Sequence, residues 1–247
     1  NVMQNTNQEW SSFVHPTSTL SDFLHSEKGV AATMQGEESK RMPTFADLCS
    51  SIGGFTVAAE SLGWTPVLSV DHCESVHKWH LRNHSHEFML ADLTDTMLRT
   101  RVCQRISGID VVICSPPCGP YSSAGRRMED DARGKVAEAC VDIIVRTRPK
   151  LAVMESVRGF TSSKSCPVYR GTVLPALTGS GYSVAVVRSD AAQCGVPSSR
   201  HREWVVATLH STPSKLKKHF AEVRLRRRTA LVEWFPSLAI GDRPLVR

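Results

Sequence analysis

From residue 44 to residue 208, short apolar runs alternate with amphipathic stretches, and that alternation leaves few folds open. Strands are expected over 44–49, 67–70, 88–90, 110–114, 151–154, 183–187 and 204–208. Helices are expected over 53–62, 74–82 and 132–146. The last is the clearest: Val136, Ala139, Cys140, Ile143 and Ile144 fall on one face, and Pro149 stops the run. The run Val111-Val112-Ile113-Cys114 has no polar alternation, as a strand covered on both faces requires. Strands and helices alternating at these lengths give an α/β fold, a doubly wound, mostly parallel sheet with helices on both faces.

Ligands of such sheets bind beyond the carboxyl ends of the strands, so the residues there come first. The 110–114 strand runs into Ser115-Pro116-Pro117, which can neither extend a ladder nor enter a helix interior, and Cys118 follows directly. Taken alone, the stretch allows either a reactive thiol presented at a strand end or a buried structural cysteine. The first strand leads into Cys49-Ser50-Ser51-Ile52-Gly53-Gly54, where paired glycines let the backbone approach a ligand closely. The second strand ends in Asp71, about 20 positions on, where a ribose-binding acid is expected. Asp92, after the third strand, is placed to receive an adenine amino group.

The 247 residues allow one sizeable domain with extensions. No apolar run approaches the ~20 residues of a membrane helix, so no membrane partner is expected. Eight cysteines without a CxxC pair point to reduced thiols and an intracellular protein, nuclear in a eukaryote and cytoplasmic in a prokaryote. The net charge of +6 suits a polyanionic partner. Cys73, His77, His80 and His84 carry a metal-like spacing, but all lie on or beside the expected 74–82 helix, and no metal site is assigned. Cys114 is read as buried packing.

These motifs together resemble the cytosine-C5 DNA methyltransferase family. DLCSSIGGF is similar to the family's DLFAGxGGF, SPPCGPYSSAGRR to GPPCQxFSxAGKR and MESVRGF to ENVxGF. QCGVPSSRHREWVVA is similar to YGVPQxRxRVFxVG, and DARGK at 131–135 to DxRGxL. The resemblance implies a Rossmann-like fold and S-adenosylmethionine as methyl donor. It implies that Cys118 attacks C6 of a flipped cytosine, that Glu155 binds the ring's N3 edge, and that Arg200 and Arg202 orient the base and the catalytic loop. It also places Asp47, Ser50, Ser51, Ile52, Gly53 and Gly54 around the methionine portion, Asp71 at the ribose, Asp92 and Leu93 at the adenine, and Pro116 beside the methyl group. Gly119–Gly134, with Arg126 and Arg127, is implied to close over DNA, with Ser122 near the flipped nucleotide.

Several positions depart from the family pattern: Cys49 for an aromatic, Ser51 for a glycine, Gly119 for Gln, Ser156 for Asn and Ser198 for Gln. The division expected is a polar extension over 1–41, the catalytic domain over 42–209 and a basic tail over 210–247. That tail is too short for the recognition domain and closing motif the family carries. The expectation is therefore a fragment, a pocket completed by a second chain, or a minimal or degenerate enzyme. Two other readings share the core: a tRNA cytosine-C5 methyltransferase, and a catalytically impaired relative that binds DNA or a partner.

Overall fold

The computed structural model describes residues 41–117, 134–161, 167–194, 198–212, 214–215 and 218, with the backbone alone at 193 and 194. Cys118, residues 119–133, residues 1–40 and most of the basic tail lie outside the described residues.

The chain runs β1 (Thr44–Leu48), α1 (Gly54–Glu60), β2 (Thr65–Asp71), α2 (Glu74–Asn83), β3 (Glu87–Leu90), α3 (Thr96–Arg105) and β4 (Val111–Cys114). It continues with α4 (Gly134–Thr147), β5 (Leu151–Val157), a wide helical turn at Tyr169–Val173 leading into α5 (Leu174–Gly179), then β6 (Ser183–Asp190) and β7 (His201–Thr208). The seven strands form one sheet in the order β3-β2-β1-β4-β5-β7-β6. The first five positions are parallel, whereas β7 runs antiparallel between β5 and β6.

Side-chain alternation divides the core between the two faces. Phe45, Val111, Ile113, Val153 and Val206 meet Ala59, Leu62 and Trp64 of and after α1. On the other face Ala46, Leu48, Val112, Cys114, Ala152 and Met154 pack with Val102 of α3 and with Cys140, Ile143 and Ile144 of α4. Asp110, just before β4, ties the opposite end of the sheet together. Its buried carboxylate takes Arg41 Nη1 at 2.7 Å, Thr44 N and Oγ1 at 2.9 Å each, and Lys150 Nζ at 3.2 Å.

Several strands are longer than their apolarity predicts: β2 spans Thr65–Asp71 and β6 spans Ser183–Asp190, and the extensions of β5 and β7 bear on the site. β5 continues through Glu155 and Ser156 to Val157, and β7 begins at His201 instead of Trp204. Each supplies the other's missing signal: Glu155 pairs with Trp204, Ser156 with Glu203 and Val157 with Arg202. The α3 helix was not expected. Its sequence TMLRTRVCQR buries only Val102 and Cys103, so the period is faint, although the Asp95 carboxylate caps it by accepting from Met97 N and Leu98 N.

Candidate active site

The carboxyl ends of β1, β2, β4 and β5 share one edge of the sheet, and antiparallel β7 brings its amino end to the same place. Glu155 and Arg202 therefore meet, with Arg202 Nε 2.5 Å from Glu155 Oε1 and both side chains mostly covered. Residues 155, 157, 202 and 204 share a face by strand alternation, so the pair projects from the same side as Trp204. Its immediate neighbour Glu203 points the other way and is fully buried. That carboxylate accepts from Thr161 N at 2.9 Å, Thr161 Oγ1 at 3.0 Å and Arg188 Nε at 2.7 Å. These donors hold it ionised against its burial, below the usual carboxylate range.

Arg200 is placed differently. It is exposed, and its main chain is fixed by Asp190, whose carboxylate accepts Arg200 N at 2.8 Å and Ala192 N at 3.2 Å. Asp190 thus closes the loop that delivers both arginines. Sequence reasoning passed over Asp190 and Glu203, although an acid at a strand end beside a loop is a readable turn signal.

The turn after β1 is built on left-handed residues: φ is 58° at Cys49, 47° at Ser51 and 82° at Gly53. Ser51 stands where the resembling motif has glycine, in a conformation that glycine adopts without strain. Asp71 holds this turn to its own, accepting Ser51 N at 2.9 Å and Cys73 N at 3.0 Å. Carboxylate oxygens have further lone pairs, so these bonds leave acceptor capacity for a hydroxyl. Gly53 leaves no room for a side chain, since a Cβ there would lie 2.5 Å from His84 Nε2. Gly54 has open space, and Ile52 is 57% exposed.

Beneath the turn, Asp47 is fully buried. Thr56 Oγ1 donates to its Oδ2 at 3.0 Å while Oδ1 has no partner among the described residues, and burial pushes the carboxyl up to about 7. Ser50 Oγ is a second buried oxygen without such a partner. Asp92 is exposed, and Thr94 N and Oγ1 donate to its Oδ1 at 2.9 and 2.7 Å, holding it below the usual range. Leu93 buries its side chain in the core, and its carbonyl accepts from Arg99. Pro116 is buried, and the preceding Ser115 joins the two loops by donating its Oγ to Cys49 O at 3.0 Å.

Cys49 shares a hydrogen bond with Cys140, and Cys140 with Cys114, so three thiols run in line beside this edge. Cys140 and burial push Cys49 up, and Cys114 and burial push Cys140 up against an opposing effect of Cys49, so both stand away from the reactive thiolate. Cys114 is buried packing, as expected. Among the described residues no group of three or more His, Cys, Asp and Glu could hold a metal ion.

A strand-end turn with paired glycines, acids at the ends of the next two strands in sequence, and a carboxylate–guanidinium pair at the end of β5 all stand along one edge of the sheet. The family model for C-5 cytosine-specific DNA methylase matches residues 43–233, which spans every one of these groups. The chain belongs to this family. Among its DNA methylase relatives, M.HpaII of Haemophilus parainfluenzae, a Type II methyltransferase, is 30% identical over 73% of this chain and 52% of its own. M.HgiDI of Herpetosiphon aurantiacus is 28% identical over 69% of this chain and 53% of its own. The chain spans about half the length of such relatives.

Solved structures agree on the fold. A DNA modification methyltransferase encoded within an E. coli prophage superposes with TM-score 0.57 at 19% identity, covering 67% of this chain and 46% of that one. The Entamoeba histolytica methyltransferase EhMeth gives 0.57 at 20%, covering 69% and 54%. The doubly wound α/β class expected from the alternation is therefore correct, with the antiparallel β7 as its refinement.

The donor set suits S-adenosylmethionine on structural grounds. The turn presents glycine backbone at Gly53 and Gly54, and buried Ser50 Oγ in the turn and Asp47 Oδ1 at the end of β1 have no partner among the described residues.

Proposed function

We propose that the protein transfers a methyl group to C5 of cytosine in DNA, and the Glu155–Arg202 pair is the observation that carries this reading. S-adenosylmethionine, when bound, supplies the electrophilic methyl group. Ser50 to Gly54 and Asp47 take its methionine portion, Asp71 its ribose, Asp92 and Leu93 its adenine, and Pro116 borders the methyl.

Cytosine is a poor nucleophile at C5 until something adds at C6. Cys118, directly after the Pro116-Pro117 break, supplies the attacking thiolate. As the thiolate adds, electron density moves onto the ring and N3 accepts a proton, which Glu155 supplies only as the protonated acid, one oxygen donating to N3 while the other keeps Arg202. Arg202 holds Glu155 in place and faces the ring's exocyclic oxygen, and Arg200 supports the neighbouring loop. After methylation, water takes the C5 proton, the C–H electron pair re-forms the C5–C6 bond and expels the Cys118 thiolate, and N3 returns its proton to Glu155. A stacked base cannot be reached by these groups, so the cytosine is flipped out of the duplex.

Duplex DNA carrying 5-fluorocytosine tests this directly, because fluorine at C5 blocks the elimination and leaves a covalent adduct. With S-adenosylmethionine present, the full chain traps the duplex, whereas Cys118→Ser does not. A parallel arm with 5-fluorocytosine tRNA decides the substrate. Trapping of tRNA alone refutes DNA as the substrate, and trapping that survives Cys118→Ser refutes the nucleophile. Addition of a second chain tests whether the pocket is completed in trans.

A further inference from the structure

The two halves of the candidate site stand on different strands. The glycine turn follows β1, the Glu155–Arg202 pair links β5 to β7, and the sheet order puts β4 between β1 and β5. Transfer of a group from one half to the other depends on how far apart they are held, and a misplacement of about 1 Å can cost about a hundredfold in rate. Above the strand ladders, one side-chain contact crosses the sheet between them.

Phe55 is the second residue of α1, directly after Gly53 and Gly54. Trp204 lies opposite Glu155 in the β5–β7 ladder and two residues after Arg202, so strand alternation puts all three on one face. The Phe55 and Trp204 rings meet edge to face, with centroids 5.7 Å apart and planes at 75°. That geometry is favoured because the positive edge of one ring meets the negative face of the other. The indole is also tied to β6: its Nε1 donates to Ser189 Oγ at 2.8 Å, and Ser189 is the partner of Arg202 in the β6–β7 ladder. Both rings are half-buried and rest on one core that includes Phe45, Ile113, Val153 and Val206. A large ring held by close packing and by a hydrogen bond has little freedom, and it makes a firm abutment for Phe55.

We propose that Trp204 is a positioning residue: through Phe55 it sets the distance between the glycine turn and the Glu155–Arg202 pair. This rests on the reading of those two halves as the methyl-donor and cytosine sites, and it deepens that reading. Each half keeps its own polar contacts when a ring is cut back, Asp71 with Ser51 N and Cys73 N at the turn and Glu155 with Arg202 at the pair. Loss of the aromatic contact therefore leaves the separate affinities in place and slows the transfer.

The test uses the full chain, duplex DNA and S-adenosylmethionine. Phe55→Leu and Trp204→Leu lower kcat for methyl transfer about tenfold or more, while KM for each substrate changes less than about threefold. The double variant is no slower than the slower single one, because both substitutions cut the same contact. Trp204→Phe keeps a ring against Phe55 and restores kcat to within about threefold of wild type. A second readout needs no turnover and no leucine variant to fold. In wild type labelled with 5-fluorotryptophan, the fluorine resonance that Trp204→Phe lacks belongs to Trp204, and it shifts when S-adenosylhomocysteine binds. In Phe55→Leu that response is lost. The inference falls if both leucine variants keep the wild-type kcat, if the double variant loses the product of the two single losses, or if the Trp204 resonance ignores S-adenosylhomocysteine. Should the resonance respond, and Phe55→Leu abolish the response, while no methyl group reaches DNA, the positioning role stands and the methyl-transfer reading alone fails.

Discussion

Replacing Asp47 with Asn makes the chain's tolerance of alkaline pH measurable. The Asp47 carboxyl is fully buried, with one oxygen bonded to Thr56 and the other without a partner among the described residues, and burial raises it from 3.8 to about 7. A carboxyl raised on folding contributes stability that is complete below the unfolded value and is lost as pH climbs through the folded one. Over the whole span the loss is about 3.2 × 1.36, or about 4 kcal/mol. Between pH 5.5 and pH 7 it is about 1.5 × 1.36, or about 2 kcal/mol, after which it levels off. Asparagine accepts the Thr56 hydroxyl equally well but titrates nowhere. Its new amide N–H is itself unpartnered, a pH-independent cost of about 1–3 kcal/mol. The stability of Asp47→Asn relative to wild type therefore improves by about 2 kcal/mol from pH 5.5 to pH 8.5, whatever the constant offset. Urea unfolding of both proteins at the two pH values gives the difference directly. An offset that is the same at both pH values, or that worsens with rising pH, refutes a neutral buried acid at this position.

Two further outcomes follow from the same environments. Glu203→Val strands the buried Thr161 N–H and hydroxyl and loses about 2–3 kcal/mol at neutral pH. Because the Glu203 carboxyl is lowered on folding, its contribution exists above the unfolded value of 4.5 and fades as pH falls, so urea melts at pH 7 and pH 4 show the gap closing. Ser51→Gly relieves a left-handed residue at φ 47°, worth about 1–2 kcal/mol, against about 0.5–1 kcal/mol of added chain entropy. Thermal melts then show a net change between about zero and a gain of about 1.5 kcal/mol, and a loss refutes strain at this turn.

Much of the fold was readable because its central strands are apolar throughout. Val111–Cys114 cannot be anything but a covered strand, and Phe45–Leu48 pairs with it as such runs do. What escaped was polar secondary structure whose reason lies in another element. Glu155 and Ser156 look like loop residues until Arg202 and Glu203 stand opposite them. The reverse holds for β7, whose first residues, His201-Arg202-Glu203, carry no apolar signal. In the candidate site, Ser51 was visible as a departure from a glycine pattern, while the reason for glycine, a positive φ, appeared only in the backbone. The histidines posed the opposite difficulty. Their i, i+4 spacing suggested ligands, and their helix was placed correctly, yet His80 and His84 are packed as rings against rings and against the turn.

The antiparallel β7 also fixes the order in which this domain can be finished. It is the last strand among the described residues but an inner strand of the sheet, bonded along its length to β5 and to β6. Until residues 201–208 have emerged and inserted, β5 remains an open edge whose Glu155 has no Arg202, and β6 has no place in the sheet. A ribosome-bound chain would thus carry the carboxylate half of the pair through nearly fifty further residues before the guanidinium arrives. Such late, long-range closure is slow, and the unpaired edge is a place where two unfinished chains can join.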